Sequence, residues 1–297
     1  MIYTITTNPS LDYYLIFDGP IVQGDSNRSV LEMFDAGGKG VNVSIFLNSL
    51  GIQSACLGFL GGFTKEYFLE HLKQYRSIQP LFTNIKDNTR INIKTEADNH
   101  INLNARGPKI TDEEFNKFTT RLTKIYDTDY VVLSGNIQDE LDNKIISVME
   151  ELSSNGIKII LDTDRNIMEG CLEYKPFILK LNERDAGVEE EQILKLAKEY
   201  VSKGVKYVLY SSLANDNFYL ISEEKVYKAS RLFGTTPMTG SGDSMIAGFL
   251  FSTMRGANGL EAFKYAVACL CKLRLINNQT TRQEIEEAVK ELEVIEL

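Results

Sequence analysis

Short runs of β-branched and aromatic residues alternate with longer amphipathic stretches along most of this 297-residue chain. The runs typical of strands are Ile2–Thr6, Ser54–Leu60, Tyr130–Ser134, Lys158–Asp162, Phe177–Leu181 and Tyr207–Ser211. The stretches typical of helices are Val41–Leu50, Thr64–Tyr75, Asp112–Tyr126, Glu140–Ser153 and Glu190–Lys203. This alternation predicts an α/β fold with a mostly parallel sheet covered by helices on both faces. Ligands bind such sheets beyond the carboxyl ends of the strands, so we expect a site there.

Two regions interrupt the alternation, because they contain short strand patterns with no helix between them. These patterns are Tyr13–Phe17, Arg28–Phe34, Thr89–Lys94 and His100–Asn104. They predict a small separate β-sheet that acts as a lid. At the other end of the chain, Arg282–Glu296 predicts one acidic amphipathic helix. We find no internal repeat or linker, so we expect a single domain over residues 1–297, with lid strands drawn from about 12–34 and 88–106.

The composition excludes several classes of protein. A formal net charge of −9 argues against binding to nucleic acid or to anionic membranes, both of which need a basic face. The chain has neither a basic, apolar leader nor an apolar run long enough for a membrane span, so we expect a cytoplasmic protein. Four cysteines without CxxC spacing and two histidines predict no zinc cluster, and we expect each cysteine to be a buried small residue.

A glycine-rich turn, Thr239–Ser244, stands directly before the apolar stretch Met245–Phe251. A turn of this kind at the start of a helix directs backbone N–H groups and the positive end of the helix dipole at one point, which favours an anion such as a phosphate. A carboxylate there, Asp243, does not help a phosphate to bind, but it can accept a proton from an attacking hydroxyl. The alternative is an ordinary capped turn that needs no ligand.

A second glycine cluster, Ala36–Asn42, leads into the first predicted helix and contains Lys39. Its glycines allow a ligand to approach the backbone closely, although the spacing is not that of a P-loop. The alternative is a strand-to-helix turn with an incidental lysine. Two anion-binding turns are what a kinase with a phosphorylated acceptor needs.

Together these segments resemble a known family. Residues Gly37–Val43 and Thr239–Ser244 are similar, in order and separation, to the two signatures of the ribokinase-like (PfkB) carbohydrate kinases. Four further segments resemble the branch that acts on hexose monophosphates, the tagatose-6-phosphate kinases and 1-phosphofructokinases; these are Thr7–Asp12, Ser26–Arg28, Thr89–Lys94 and Asn102–Thr111. The resemblance covers nearly the whole chain. It implies a ribokinase-like three-layer sandwich with a central, mostly parallel sheet and a small β-sheet lid.

The resemblance also implies an activity. ATP, with Mg²⁺, would donate a phosphoryl group to the free terminal hydroxyl of tagatose 6-phosphate or fructose 1-phosphate, giving a ketohexose bisphosphate. Asp243 would take the proton from that hydroxyl, and Gly240, Ser241 and Gly242 would form the anion hole for the γ-phosphoryl group. A homodimer formed through the lid is compatible with this resemblance.

The remaining site residues follow from the same resemblance. The sugar hydroxyls are expected at Asp12, Gly38, Asn42 and Ser134, and the existing phosphate at Arg28, Lys39 and Arg90. The nucleotide is expected at Lys180, Asn182, Ser212 and Asp216, and Asp185 is expected to organise Mg²⁺ through water. Without the family pattern, Arg28 and Arg90 would be read as solvated surface residues, and Ser134 as a serine bonded to local backbone.

The nucleotide half departs from the family pattern at several positions. Asp185 stands where glutamate is usual, Ser241 where alanine is usual, and the turn Ser212–Asn217 lacks two glycines. The segment Cys269–Lys272 replaces small residues that face the adenine. Two alternatives therefore stay open: a sugar-phosphate-binding or regulatory protein with impaired nucleotide use, and a family kinase for an unphosphorylated sugar or nucleoside. Retention of Asp243 argues against the first, and the three cations expected at the phosphate argue against the second.

Overall fold

The fold is built around a large, mostly parallel sheet. The structure is a computed structural model, and it describes residues 1–97, 101–182, 189–212, 215–232, 240–272 and 280–297. Within them the large sheet has eleven strands: β1 (Ile2–Thr6), β4 (Ser54–Gly61), β5 (Ile78–Pro80), β6 (Thr83–Ile85), β9 (Tyr130–Ser134), β10 (Lys158–Asp162), β11 (Ile178–Asn182), β12 (Tyr207–Ser212), β13 (Asn217–Ile221), β14 (Val226–Ser230) and β15 (Val294–Glu296). Their order is β15-β14-β13-β12-β11-β10-β9-β1-β4-β5, and β6 also pairs with β4. Strands β13 to β15 are antiparallel and the others are parallel.

Helices cover both faces of this sheet, as the alternation predicts. The helices are α1 (Lys39–Ser49), α2 (Gly62–Leu72), α3 (Asp112–Leu122), α4 (Asp142–Ser154), α5 (Arg165–Gly170), α6 (Glu190–Ser202), α7 (Ser241–Met254), α8 (Gly259–Lys272) and α9 (Arg282–Glu291). One core joins the sheet to α3, α4, α5 and α6, and the other joins its opposite face to α1, α7, α8 and α9. Cys56, Cys171, Cys269 and Cys271 are all buried and none of them forms a disulfide bond in the described part of the chain, which confirms the expectation of buried small residues. None of the described helices has the length and apolarity to cross a bilayer.

A second, four-stranded sheet lies at the start of the fold. It has the order β3-β2-β7-β8, with β2 at Ser10–Ile16, β3 at Leu31–Gly37, β7 at Arg90–Glu96 and β8 at Asn102–Leu103. The predicted small sheet is therefore confirmed, with boundaries shifted by a few residues. Strand β2 pairs with both β3 and β7, so Asp12 lies opposite Asn92 in the middle of this sheet.

The C-terminal prediction of a helix over Arg282–Glu296 is wrong after Glu291. Helix α9 ends at Glu291, and Val294–Glu296 then forms β15, which pairs with β14. At Leu292 the backbone is already extended, with φ −74° and ψ 119°, and its side chain is buried against the core of α7 and α8. Without a neighbour, the edge of β14 would leave its backbone groups unpaired. Hydrogen bonding of these groups to Val294–Glu296 stabilises the chain more than continuation of helix α9 would.

Candidate active site

The glycine turn at the start of α7 places Asp243 inside the molecule. Gly240 has a left-handed backbone, φ 88°, and precedes the first helical residue, Ser241. The amide of Ser244 donates to the Gly240 carbonyl at 2.9 Å, which closes the first helical turn. The N–H groups before it are those that a helix leaves without a helical partner, so they are suited to an anion. Thr239, the first residue of the motif, lies outside the described residues.

The two glycine segments meet at one hydrogen bond. Asn42 on α1 donates from Nδ2 to Asp243 Oδ2 at 2.8 Å, across 201 positions of the sequence. The start of α1 sits close against β1: Gly38 has φ 128°, and a Cβ added there would lie 2.7 Å from Thr6 Cγ2. The residues of both sequence motifs thus line one site.

A second buried carboxylate, Asp162, stands beside them at the carboxyl end of β10. Lys39 Nζ contacts its Oδ1 at 3.1 Å, and Ser134 Oγ donates to its Oδ2 at 3.3 Å. Ser134 ends β9 and is the direct neighbour of Asp162 in the sheet. The sequence analysis missed Asp162. The available signal was an acidic residue ending a predicted strand at the sheet edge where ligands bind.

Lys180 brings a buried positive charge to the same place. Its side chain is 2% exposed, and Nζ donates to Ser211 Oγ at 2.8 Å and to the Leu181 carbonyl at 3.1 Å. A Cβ added at Gly242 would lie 3.5 Å from Nζ, so the ammonium group lies against the first turn of α7.

The neighbouring charges give the carboxyl groups of Asp162 and Asp243 different pKa values. Burial, reinforced by the negative charge of Asp162, raises the pKa of Asp243 to about 7, although Lys39, Asn42 and Lys180 oppose the rise. Burial alone would also raise the pKa of Asp162, but Lys39 and Lys180 outweigh it and hold that pKa below its usual value. Asp162 is therefore ionised near neutral pH, while Asp243 can exchange a proton there. Titratable neighbours with separated pKa values are typical of acid–base sites.

Asp12 is held by its own polar network on the small sheet. It is buried, and Oδ1 accepts from Ser10 Oγ at 2.7 Å and from Asn92 Nδ2 at 3.0 Å. Lys94 Nζ donates to Oδ2 and, at 3.2 Å, to the Tyr14 hydroxyl. Burial alone would lower the pKa of Lys94, but the charge of Asp12 outweighs it and raises that pKa. The sequence analysis gave Lys94 and Asn92 no role, because each acquires one only through a partner on the neighbouring strand.

The three cations expected at a phosphate have separate surroundings. Lys39 contacts Asp162, as described above. Arg90 is half-buried at the start of β7, and its Nη1 and Nη2 donate to the carbonyls of Ala105 at 3.0 Å and Asn8 at 2.9 Å. Its Nε is buried, and the described structure gives it no hydrogen-bond partner. Arg28 is exposed in the segment between β2 and β3. The structure thus places Arg90 in a backbone-binding position and Arg28 at the surface.

The residues expected at the nucleotide lie along the carboxyl ends of β11 and β12. Asn182 ends β11 and Ser212 ends β12, where Ser212 Oγ accepts from the Asn215 amide at 3.2 Å. Asp216 adopts φ 53° in the following turn, and its Oδ1 accepts from Arg231 Nε at 2.6 Å. Asp185, expected to organise the metal, lies outside the described residues.

The segment Cys269–Lys272, which stands where the family has small adenine-facing residues, begins at the contact between two helices. Cys269 is fully buried in α8, and a Cβ added at Gly248 of α7 would lie 2.7 Å from its Sγ. Cys269 therefore fills the interface between α7 and α8. Its bulk is accommodated by the glycine opposite.

The chain is similar to proteins of one known family. The model of the pfkB family carbohydrate kinases matches residues 10–271. A 1-phosphofructokinase of Bacillus subtilis is 31% identical over the whole of both chains, and one of Borreliella burgdorferi is 32% identical over 99% of this chain and 98% of its own. A D-tagatose-1-phosphate kinase of Bacillus licheniformis is 30% identical over 90% of each chain.

Solved structures show the same fold. A candidate phosphofructokinase from Staphylococcus aureus superposes with a TM-score of 0.84 at 30% identity, covering 100% of this chain and 99% of its own. Phosphofructokinase-2 from Escherichia coli, solved with substrates and products, gives a TM-score of 0.89 at 21% identity over 98% of both chains. The second likeness shows the fold alone. The three-layer sandwich expected from the sequence is confirmed.

Proposed function

Because this chain belongs to the pfkB family of carbohydrate kinases, we propose that it transfers the γ-phosphoryl group of ATP to the free terminal hydroxyl of a ketohexose monophosphate. The product is a ketohexose bisphosphate. The observation that carries the proposal is the hydrogen bond between Asn42 and Asp243, since it joins the two glycine segments around a carboxyl group whose pKa is raised to about 7. Such a group can accept a proton from a substrate at neutral pH.

In the proposed reaction the hydroxyl gives its proton to Asp243 Oδ1 or Oδ2 as its oxygen attacks the γ-phosphorus. The bond from the γ-phosphorus to the bridging oxygen breaks, and ADP leaves with that oxygen. The amides at the start of α7 and the Lys180 ammonium beside Gly242 stabilise the charge on the transferred group. The contact with Lys39 keeps Asp162 ionised, and so keeps the local field that raises the pKa of Asp243.

Magnesium would be carried in with the nucleotide. In kinases Mg²⁺ is held by substrate phosphates, waters and one or two carboxylates, and it neutralises charge on the phosphates. The described residues contain no cluster of three or more acidic, histidine or cysteine ligands. An ion held chiefly by ATP is compatible with such a site, and Asp185 remains the carboxylate proposed to organise it through water.

The acceptor would lie between the small sheet and the carboxyl ends of β9 and β10. Asp12, with both oxygens fixed by Ser10, Asn92 and Lys94, is suited to accept from sugar hydroxyls. The small sheet would then act as the lid, excluding water when it closes. Lys39, Arg28 and the free Nε of Arg90 are the proposed contacts to the existing phosphate.

We favour a ketohexose 1-phosphate over a 6-phosphate as the acceptor. The relatives from Bacillus subtilis, Borreliella burgdorferi and Bacillus licheniformis are named as kinases of fructose 1-phosphate or tagatose 1-phosphate type. Stereochemistry at one carbon separates the two sugars. Within the 1-phosphates, fructose 1-phosphate is the first candidate.

The test is a coupled assay of ADP formation with fructose 1-phosphate, tagatose 1-phosphate, fructose 6-phosphate, tagatose 6-phosphate and free fructose. The 1-phosphates should give the highest kcat/KM. Asp243→Asn should lower kcat by about 10²- to 10⁴-fold, because the general base is lost, while calorimetry still detects sugar-phosphate binding. Equal turnover of free fructose would favour the kinase for an unphosphorylated acceptor. Binding without turnover in the wild type would favour the regulatory protein.

A further inference from the structure

Arg231 is a buried arginine that the proposed reaction does not use. It follows β14 directly, its side chain is 4% exposed, and its guanidinium carbon lies 5.4 Å from the centre of the Phe218 ring. Its backbone amide donates to the Asp216 carbonyl at 3.0 Å, and Nε donates to Asp216 Oδ1 at 2.6 Å. The turn between β12 and β13 therefore fixes one edge of the guanidinium.

The other edge is unpartnered. Nη1 and Nη2 are buried, and the described structure gives neither of them a hydrogen-bond partner. Buried N–H donors without an acceptor are costly, and a guanidinium keeps its positive charge. Two parallel nitrogens of this kind match the two oxygens of a phosphate group. The unpartnered edge indicates an anionic ligand.

The position of Arg231 relates it to the nucleotide. Phe218 on β13 is the direct neighbour of Ser211 on β12, so the two side chains share a face of the sheet. Ser211 Oγ accepts from Lys180 Nζ, which lies against the first turn of α7. A row therefore crosses the sheet from Lys180 on β11 through Ser211 to Phe218, with the guanidinium above Phe218.

The length of this row selects one part of the ligand. Strands are spaced by about 4.8 Å, so Phe218, beneath the guanidinium, lies about one spacing from Ser211, which accepts from Lys180 Nζ, and about two spacings from the β11 backbone. A triphosphate whose γ-phosphoryl group is bound at α7 would extend from Lys180 along this row, so that a phosphate nearer the nucleoside faces the guanidinium. The side chain also lies on the sheet face that α7 covers, where the donor would be bound.

We propose that Arg231 binds the α-phosphate of the donor nucleotide through Nη1 and Nη2. The inference rests on the proposed function and adds a residue to it. The α-phosphate is present before and after transfer. Loss of the Arg231 contact should therefore raise KM for ATP and leave kcat largely unchanged. The same contact should make the protein bind AMP more tightly than adenosine.

The experiment compares Arg231→Ala, Arg231→Lys and a matched control. Arg255→Ala removes another arginine stacked on a phenylalanine, Phe251, at the far end of α7. We expect Arg231→Ala to raise KM for ATP about 10- to 100-fold, with KM for the sugar phosphate unchanged, and Arg231→Lys to give a smaller rise. Arg255→Ala should leave both KM values at the wild-type level.

A second measurement separates a phosphate contact from a structural one. Competition binding should show that wild-type protein prefers AMP to adenosine, and that Arg231→Ala loses this preference. An Arg231→Ala variant that weakens the binding of AMP and of adenosine equally would overturn the inference. Thermal unfolding verifies that each variant is folded. If Arg231→Ala does not fold, the same comparison of AMP with adenosine is made with Arg231→Lys.

The outcome for Arg231 is distinguishable from the outcome for the proposed function. A wild-type protein that transfers no phosphoryl group would overturn the proposed function, whereas the AMP and adenosine comparison reads the Arg231 contact without any turnover. Active wild-type protein with an unchanged KM for ATP in Arg231→Ala overturns the inference alone.

Discussion

At the scale of single residues, the site depends on two carboxyl groups that differ in their neighbours. Asp162 accepts from Lys39 and Ser134, whereas Asp243 accepts from the uncharged amide of Asn42. The first is stabilised as an anion, and the second has a pKa raised to about 7 and can exchange a proton near neutral pH. A base of this kind is efficient because its pKa lies near the pH at which it works.

Removing the negative charge of Asp162 should change the pH dependence of the reaction. The charge of Asp162 raises the pKa of Asp243, so Asp162→Asn should lower that pKa, and the freed charge of Lys39 should lower it further. The ascending limb of kcat/KM against pH reports the free base, and we expect it to move to lower pH in Asp162→Asn.

The control is Asp164→Asn, which changes a carboxylate two positions along that bonds to Asn136 and to the Ile137 amide. Its ascending limb should coincide with that of the wild type. If the limb of Asp162→Asn stayed in place or moved to higher pH, the field attributed to Asp162 would be wrong.

At the scale of elements, the small sheet holds the acceptor side of the site in register. Gly37 ends β3 opposite Ser10, and a Cβ added there would overlap the Asp12 carboxylate. Glycine at this position is therefore a packing requirement of the Asp12 network. The β3–β2–β7 pairing brings Gly37, Asp12 and Lys94 together from separate segments of the sequence.

We expect Gly37→Ala to raise KM for the sugar phosphate about tenfold or more, because the added methyl group displaces Asp12, with a smaller effect on KM for ATP. Gly19→Ala is the matched control, since no atom lies within 4 Å of a Cβ added there. Steady-state kinetics of the two variants, with both substrates varied, decide the question. An unchanged sugar-phosphate KM in Gly37→Ala would contradict a role for Asp12 in acceptor binding.

The elements that the sequence predicts best are those whose pattern is local. Strands β1, β9 and β10 have the predicted bounds, because each is a short apolar run ended by a polar residue. Strand β15 was missed because Val294–Glu296 continues the helical periodicity of α9, and only pairing with β14 decides its conformation. Local patterns cannot report a partner that is distant in the sequence.

At the scale of the whole molecule, the two sheets bring residues that are distant in the sequence into contact. Lys39 and Asp162 are 123 positions apart, and Lys94 and Asp12 are 82 apart. The sequence predicted Asp243, Asn42 and Lys39 because their motifs are contiguous. It did not predict Asp162 or Lys94, because single polar residues acquire meaning only when the sheet order and register are known.

The raised pKa of Asp243 also has a consequence for stability. In the unfolded chain its pKa is near the ordinary value of 3.8, and in the folded protein it is about 7. Between these values the folded state binds the extra proton, so this group favours folding at low pH and its contribution is lost as pH rises from about 4 to 7. At higher pH the burial of an ionised Asp243 costs on the order of a few kcal/mol.

Replacing Asp243 by asparagine removes that cost and keeps an oxygen that can accept from Asn42. We therefore expect Asp243→Asn to unfold at a higher temperature than the wild type at pH 8, with a difference that shrinks at pH 5. Thermal unfolding followed by circular dichroism at both pH values measures it. Asp162→Asn should have the opposite sign at pH 8, because Lys39 loses the carboxylate that it contacts directly. Equal changes in the two variants would mean that the two carboxyl groups share their charge evenly, which would contradict the difference between their pKa values.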